Sequence, residues 1–466
     1  MKKSIIIRLN SLLIALFLTV QIYALPVNII TIGDLHGGIA PTYYNDIARG
    51  GVEQLYYTMQ NKENYNNDDF LFFVAGDNVT GQTISNAFNG LSTIEILNAM
   101  GADVSSVGNH EFDFGYDAAN AMMETADFPF ISANIVPKND NAIHFEPYVI
   151  IEQNGVKVGV ISLMTYEFKY NANASVDYIV KDFLPVIKDN YQKVKAKGAD
   201  VVILLTHTEA DVMKELAPKF KDMNIPLIIC AHTHEVSCSY AGETFVVASG
   251  TEAQHYSRIT IDYDEKTKKA NVEYIVQERI ARSAYQDAPI NDLTTIINKW
   301  SEKLDVEYSK VIAYSDKMIF KEPDGYKMFT KALYESSGAD IAVTNYGSIR
   351  ADIPAGNITY SHIITIMPFL NLLVNVSISG EDLIKNLNKD PYFYGAEKVG
   401  DDYILLSGGK IEKNKTYLVV TSDYYAAGAK WNELDSYIEV LPDWREPVVN
   451  WLINQNTSID NPLSLD

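Results

Sequence analysis

The sequence predicts an α/β protein made of two layered units in tandem, and three observations carry that prediction. Apolar, β-branched runs recur between residues 27 and 231, and each ends in a short polar cluster. Amphipathic stretches such as EQLYYTMQNK and ANAMMETA lie between some of them. A polar interval then gives way to a helix-patterned segment and to a second set of strand-like runs from about residue 310. Near-continuous apolar runs suit strands covered on both faces, and such strands collect their chemistry in the loops at their ends.

Taken in order, the first element is an export signal. Lys2, Lys3 and Arg8 precede the apolar run SLLIALFLTV and the segment QIYALP, with cleavage expected near Ala24. The run is too short and too early for a membrane span. We expect a signal peptide over residues 1–24, a mature protein that is periplasmic or extracellular, and no stable membrane span after cleavage. Five strand-and-cluster units follow. VNIITIG ends in DLHGG, FLFFVAG in DNVTG, ADVSSVG in NHEFD, VVILLT in HTE, and LIICA in HTHE. Near residues 264–290 the chain turns polar, and Leu293, Ile296, Ile297, Trp300 and Leu304 then repeat at helical spacing. The expected organisation is a catalytic domain over 25–285, a linker helix over 286–308 and a substrate-binding domain over 309–466.

Composition narrows the function. The 466 residues are 47% hydrophobic and 21% charged, with a formal net charge of -22. Such a charge argues against binding a nucleic-acid polymer through a basic face, because the phosphate backbone would be repelled. The two cysteines, Cys230 and Cys238, are too few for a disulfide scaffold. They either pair after export or leave a buried thiol at Cys230.

The polar clusters hold Asp34, His36, Asp77, Asn78, Asn109, His110, His207, His232 and His234, which include five of the eight histidines. His144, His255 and His362 stand outside them and read as structural or surface residues. Asp34 and His36, like His232 and His234, are two residues apart, and on extended backbone such pairs share a face. Carboxylate, imidazole and amide oxygen without thiolate suit Zn, Mn, Fe or Co, and Mg less well. Six or seven such ligands exceed what one tetrahedral ion needs, so two divalent ions sharing one carboxylate are expected. Two ions about 3.5–4 Å apart can hold one hydroxide between them and clamp a phosphoryl group for in-line attack.

The order D-x-H, GDN, GNHEFD-x-G, TH, HTH, followed downstream by FPFISANI after the third cluster, resembles the calcineurin-like metallophosphoesterases. Within them it is similar to the secreted two-domain 5′-nucleotidase family. That resemblance implies a four-layer α-β-β-α domain followed by a smaller α/β domain. It implies one metal on Asp34, His36, Asp77 and His234, and a second on Asp77, Asn109, His207 and His232. His110 would meet the phosphate, and Asp113 would orient the imidazole. Glu111 is expected to face elsewhere. In the second domain, TNYGSIRADIPAG resembles the family's phosphate-contacting loop, which implies Asn345 and Arg350 as contacts. Phe369 and Tyr424 match the two rings that stack a base, with Tyr425 a neighbour able to substitute.

Four positions depart from the pattern. Lys430 stands where the family has an acid for the ribose hydroxyls, and a cation cannot accept a hydroxyl hydrogen bond. At that position it would meet an extra phosphate or a carboxylate. Ile319 or Lys321 falls where an arginine is usual, Tyr346 would narrow the pocket, and Ala231 replaces a glycine. The expected function is hydrolysis of small phosphate esters, first among them nucleoside 5′-monophosphates. Cyclic nucleotides, nucleotide sugars and non-nucleotide phosphates are the alternative substrates. A related hydrolase of non-phosphate esters and a non-catalytic secreted binding protein are the rival classes. A monomer or dimer is expected.

Overall fold

The computed structural model describes residues 26–465 except 45–46, 172, 282, 285–290, 370, 390 and 442. The expected signal peptide lies outside the described residues. From residue 27 to 279 the chain forms two six-stranded mixed sheets packed face to face. The first runs in the spatial order Lys269–Arg279, His255–Asp264, Val27–Ile32, Leu71–Val74, Val104–Ser106, Phe130–Ile131. The second runs Val236–Ala241, Thr244–Ser249, Leu227–Cys230, Val201–His207, Val156–Met164, Tyr148–Gln153. Val27–Ile32 pairs in parallel with Leu71–Val74, which pairs in parallel with Val104–Ser106. Val201–His207 pairs in parallel with both Leu227–Cys230 and Val156–Met164.

Alternation along the strands builds the layers. Val27, Ile29, Leu71 and Phe73 face Val158, Val160, Ile203, Leu205 and Ile229 between the sheets. Ile30, Ile32, Phe72 and Val74 point the other way, onto the helices Val52–Glu63 and Leu91–Met100. On the far side Ile161, Val202, Leu204 and Ile228 pack under the helices Phe183–Ala196 and Ala210–Leu216. The result is helix, sheet, sheet, helix. Cys230 is buried, Cys238 is exposed, and the two do not pair.

The helix Asp292–Tyr308 links the two units. It starts in a capping box between Asn291 and Thr294. Its Trp300 sinks into the first unit's core, with its ring centroid 4.6 Å from that of Phe88 and Nε1 donating to Glu95 at 3.0 Å. The second unit has a five-stranded sheet in the order Tyr392–Tyr394, Ile341–Thr344, Thr416–Ser422, Leu373–Ser379, Tyr437–Leu441. An apolar cluster covers each face. The short helix Tyr360–Ile366 meets the first unit at the helix Thr83–Asn86. Thr83 Oγ1 donates to Ser361 O at 2.7 Å and also contacts Thr365 Oγ1, and Asn86 Nδ2 donates to Pro368 O at 2.8 Å.

Candidate metal centre

Five loops leave the carboxyl ends of parallel strands at one end of the sandwich. Asp34 and His36 follow Val27–Ile32, Asp77 follows Leu71–Val74, and Asn109 and His110 follow Val104–Ser106. His207 is the last residue of its strand, and His232 and His234 follow Leu227–Cys230. The paired residues do not reach the centre on extended backbone, as the spacing argument expects. Asp34, His36, Asp77, His232 and His234 all have left-handed backbone, with φ of 48°, 47°, 51°, 77° and 59°. Such conformations cost on the order of 1–3 kcal/mol each and cluster at functional sites.

The side chains converge tightly. His36 Nε2 lies 3.0 Å from His234 Nε2, and His207 Nε2 lies 3.0 Å from Asp77 Oδ2 and 3.2 Å from His232 Nδ1. Asp34, His36 and His234 form one potential ligand group, and Asp77, His207 and His232 another. Outer hydrogen bonds decide which nitrogen of each ring is bare. His36 Nδ1 faces Thr80 O at 2.9 Å and His207 Nδ1 faces Ala75 O at 2.9 Å. A carbonyl only accepts, so both rings carry a proton outward on Nδ1 and turn Nε2 inward. His232 Nε2 donates to Glu167 at 3.0 Å and turns Nδ1 inward. Ring nitrogens turned on one another at such distances are what a shared cation resolves. Asn109 Oδ1 is buried without a partner, a further oxygen for the same purpose.

The electrostatics agree. Burial, then the neighbouring His234, holds His36 well below the usual imidazole range. Burial, then the Arg350 charge, holds His234 down at about 4. Both rings stay neutral and able to ligate. Burial works against the Asp77 carboxylate, but His207 and His110 outweigh it and keep Asp77 well below the carboxylate range. Burial lowers His207, and Asp77 more than reverses this, pushing it up to about 10. The centre attracts positive charge, which a divalent ion supplies. The donor set therefore fits divalent metals.

His110 and Asp113 sit a turn apart on the short helix His110–Phe112 and its cap, with Nδ1 2.7 Å from Oδ2. Burial lowers the His110 imidazole, but Asp113 and Asp77 together push it up to about 9. Its Nε2 lies 3.9 Å from Asp77 Oδ2.

The second unit closes a cavity of about 400 Å³ over this centre. Asn345, Arg350, Phe369 and Tyr424 line it, together with His110, Asp113, His232 and His234. The Arg350 guanidinium lies 5.6 Å from the Phe369 ring centroid, and that centroid lies 5.9 Å from the His110 ring. Tyr425 cannot replace Tyr424, because its hydroxyl donates to Asn386 at 2.7 Å and its ring packs on Trp431. Lys430 is not brought to the cavity. It is exposed, in a left-handed turn with φ of 61°, and the turn buries Trp431 and presents Asn432 instead.

Glu111 does not face elsewhere. It is buried, and its carboxylate accepts from the backbone of Gly108, Asp77 and Asn78. Burial and then the Asp77 charge push it up to about 7. Glu167, Asn371, Asp423, Asn432 and Tyr437 also border the site and were missed. Asn371, Asp423 and Asn432 lie within two residues of Phe369, Tyr424 and Lys430, and Glu111 lies inside the polar run itself, whereas no such neighbour marks Glu167 or Tyr437.

A fold of two facing sheets with ligand-bearing loops at one end defines a class, and comparison with known proteins names it. Residues 27–236 match the calcineurin-like phosphoesterase family model, and residues 311–408 match that of the 5'-nucleotidase C-terminal domain. The chain carries a calcineurin-like phosphoesterase domain followed by a 5'-nucleotidase C-terminal domain. This family of phosphoric ester hydrolases implies divalent metals. The chain is 24% identical over 440 residues to cell wall protein Lmo0130 of Listeria monocytogenes, covering 78% of this chain and 56% of that protein. It is 27% identical over 367 residues to the trifunctional nucleotide phosphoesterase protein YfkN of Bacillus subtilis, covering 68% of this chain and 25% of that protein. The chain thus spans about half the length of the first relative and a quarter of the second. Among solved structures, a 5'-nucleotidase precursor from Thermus thermophilus shares the fold. Its TM-score is 0.78 at 18% identity, with 93% of this chain and 97% of that chain covered. No described helix is long and apolar enough to cross a membrane.

Proposed function

We propose that the chain is an exported phosphoesterase that holds two divalent ions, of Zn, Mn, Fe or Co, and hydrolyses small phosphate esters, first among them nucleoside 5′-monophosphates. The observation that carries this reading is the set of imidazole nitrogens turned inward around Asp77, with Arg350 lining the same cavity. Asp34, His36, Asp77 and His234 would hold one ion, and Asp77, Asn109, His207 and His232 the other. The bound ions would supply an activated water and neutralise phosphate charge.

The chain's own residues supply the rest. Arg350 offers a planar fork to the phosphoryl oxygens from the side opposite the ions. It lies over the Phe369 ring and has no carboxylate within 4.0 Å among the described residues, so its charge remains for the substrate. Asn345 adds a buried amide oxygen without a partner and a lining position beside Arg350. His110, held protonated by Asp113, aims Nε2 into the cavity. There it steadies charge on the phosphoryl group or gives a proton to the leaving oxygen. Phe369 and Tyr424 offer rings to a base, while the Asn371 and Asn432 amides give the far wall donors and acceptors for hydroxyl groups.

A second reading takes smaller, non-nucleotide phosphates as substrates. It is favoured by Phe369, whose ring already has contacts with both His110, at 5.9 Å, and Arg350, at 5.6 Å. A panel of mononucleotides, cyclic nucleotides, nucleotide sugars and sugar phosphates tests both, run on metal-depleted and on Mn- or Zn-restored protein. Metal-dependent release of phosphate from nucleoside monophosphates supports the first reading. Turnover confined to small sugar phosphates supports the second, and no metal-dependent turnover on any member contradicts both.

A further inference from the structure

Glu111 is a buried acid beside the centre to which the reading above gives no task. Its Oε2 accepts from Gly108 N at 2.6 Å and from Asp77 N at 3.1 Å. Its Oε1 accepts from Asn78 N at 2.7 Å and from Asn78 Nδ2 at 3.2 Å. The contact is reciprocal, because Asp77 Oδ1 accepts from His110 N at 2.9 Å. Each carboxylate thus seats on the backbone of the other's loop. With Oδ1 occupied in this way, Asp77 turns Oδ2 toward His207 at 3.0 Å and toward His36 and His110 at 3.9 Å. The lacing also holds Asp77 in its left-handed conformation. The loops approach so closely that a Cβ at Gly108 would lie 2.2 Å from Asp77 Oδ1 and 2.3 Å from Asp77 N.

We propose that Glu111 is a positioning residue for the shared metal ligand. Its carboxylate keeps the two loops in register, so that Asp77 and Asn109 present their oxygens to the same ion. Three backbone N–H groups and the Asn78 amide converge on it, and both of its oxygens are needed to accept from all of them. An amide at this position keeps one end of the cage and sets an NH₂ against N–H groups at the other. The inference rests on the metal reading of the centre.

The test loads the full chain with Mn and compares wild type, Glu111→Gln, Glu111→Asp and Ser105→Ala. Ser105 Oγ accepts from Asn78 Nδ2 at 3.0 Å, so its loss loosens the same loop without touching the carboxylate. The readouts are Mn affinity, the electron paramagnetic signal of two coupled ions, kcat and KM. Glu111→Gln should weaken Mn binding about 10–100-fold, the usual cost of losing a ligand's outer partner. It should also abolish the coupled signal and lower kcat without changing KM. Glu111→Asp should fall between it and wild type, and Ser105→Ala should match wild type. Wild-type affinity and coupling in Glu111→Gln would overturn the proposal, or in Glu111→Asp where the glutamine variant does not fold. Equal metal loss in Ser105→Ala would overturn it too, by making the effect one of loop packing. A wild-type chain that binds no Mn would instead remove the metal reading itself.

Discussion

At the residue scale, His110 separates chemistry from metal binding. Its Nδ1 is engaged by Asp113 and its backbone N–H by Asp77, so the side chain can be removed while the loop keeps its anchor. His110→Ala should therefore keep its metal and lose about 10²–10⁴-fold in kcat, the range for a positioned acid. Metal analysis beside single-substrate kinetics checks this, and wild-type turnover would contradict the role. Asp103 gives a pH prediction away from the metals. Burial raises its carboxyl from 3.8 to about 6, even though Phe72 N donates to it at 2.7 Å. The folded state therefore holds this proton more tightly than the unfolded chain. The group favours folding below pH 4 and costs stability as the pH rises from about 4 to 6. Asp103→Asn keeps an acceptor for Phe72 and removes the buried charge. At pH 7.5 it should be more stable by on the order of 1 kcal/mol, after discounting for partial exposure. Thermal melts of metal-free protein should show that gain shrinking toward zero below pH 4.

At the element scale, the ligand loops were legible because each follows an apolar strand, and parallel strands deliver their ends to one edge. What could not be read was the turn geometry that aims each side chain. Spacing alone suggested extended backbone for Asp34 and His36, whereas left-handed residues make the reach. The same limit misplaced Lys430, because counting along a motif cannot show that a left-handed turn exchanges it for Asn432. Glu111 was misjudged because its direction depends on the short helix His110–Phe112, which the residue types do not announce. Glu167 reaches His232 from 65 residues away, beyond any local pattern. The linking helix carries its own prediction. Trp300 fills the first unit's core and donates to Glu95, so Trp300→Ala should cost about 3–5 kcal/mol in chemical denaturation. A change within error would mean that the helix is not anchored there.

At the scale of the whole molecule, two layered units enclose a centre where Asp34, Asp77 and His207 are almost fully buried. Ions bound only by the folded chain stabilise it by mass action. Chelation should lower the melting temperature, and Mn or Zn should restore it in a concentration-dependent way. The most direct measurement is anomalous diffraction from crystals of the full chain loaded with Mn or Zn. The account predicts two peaks, one among Asp34, His36, Asp77 and His234, and one among Asp77, Asn109, His207 and His232. Density for no ion among these side chains, in protein that hydrolyses its ester at full rate, would contradict it.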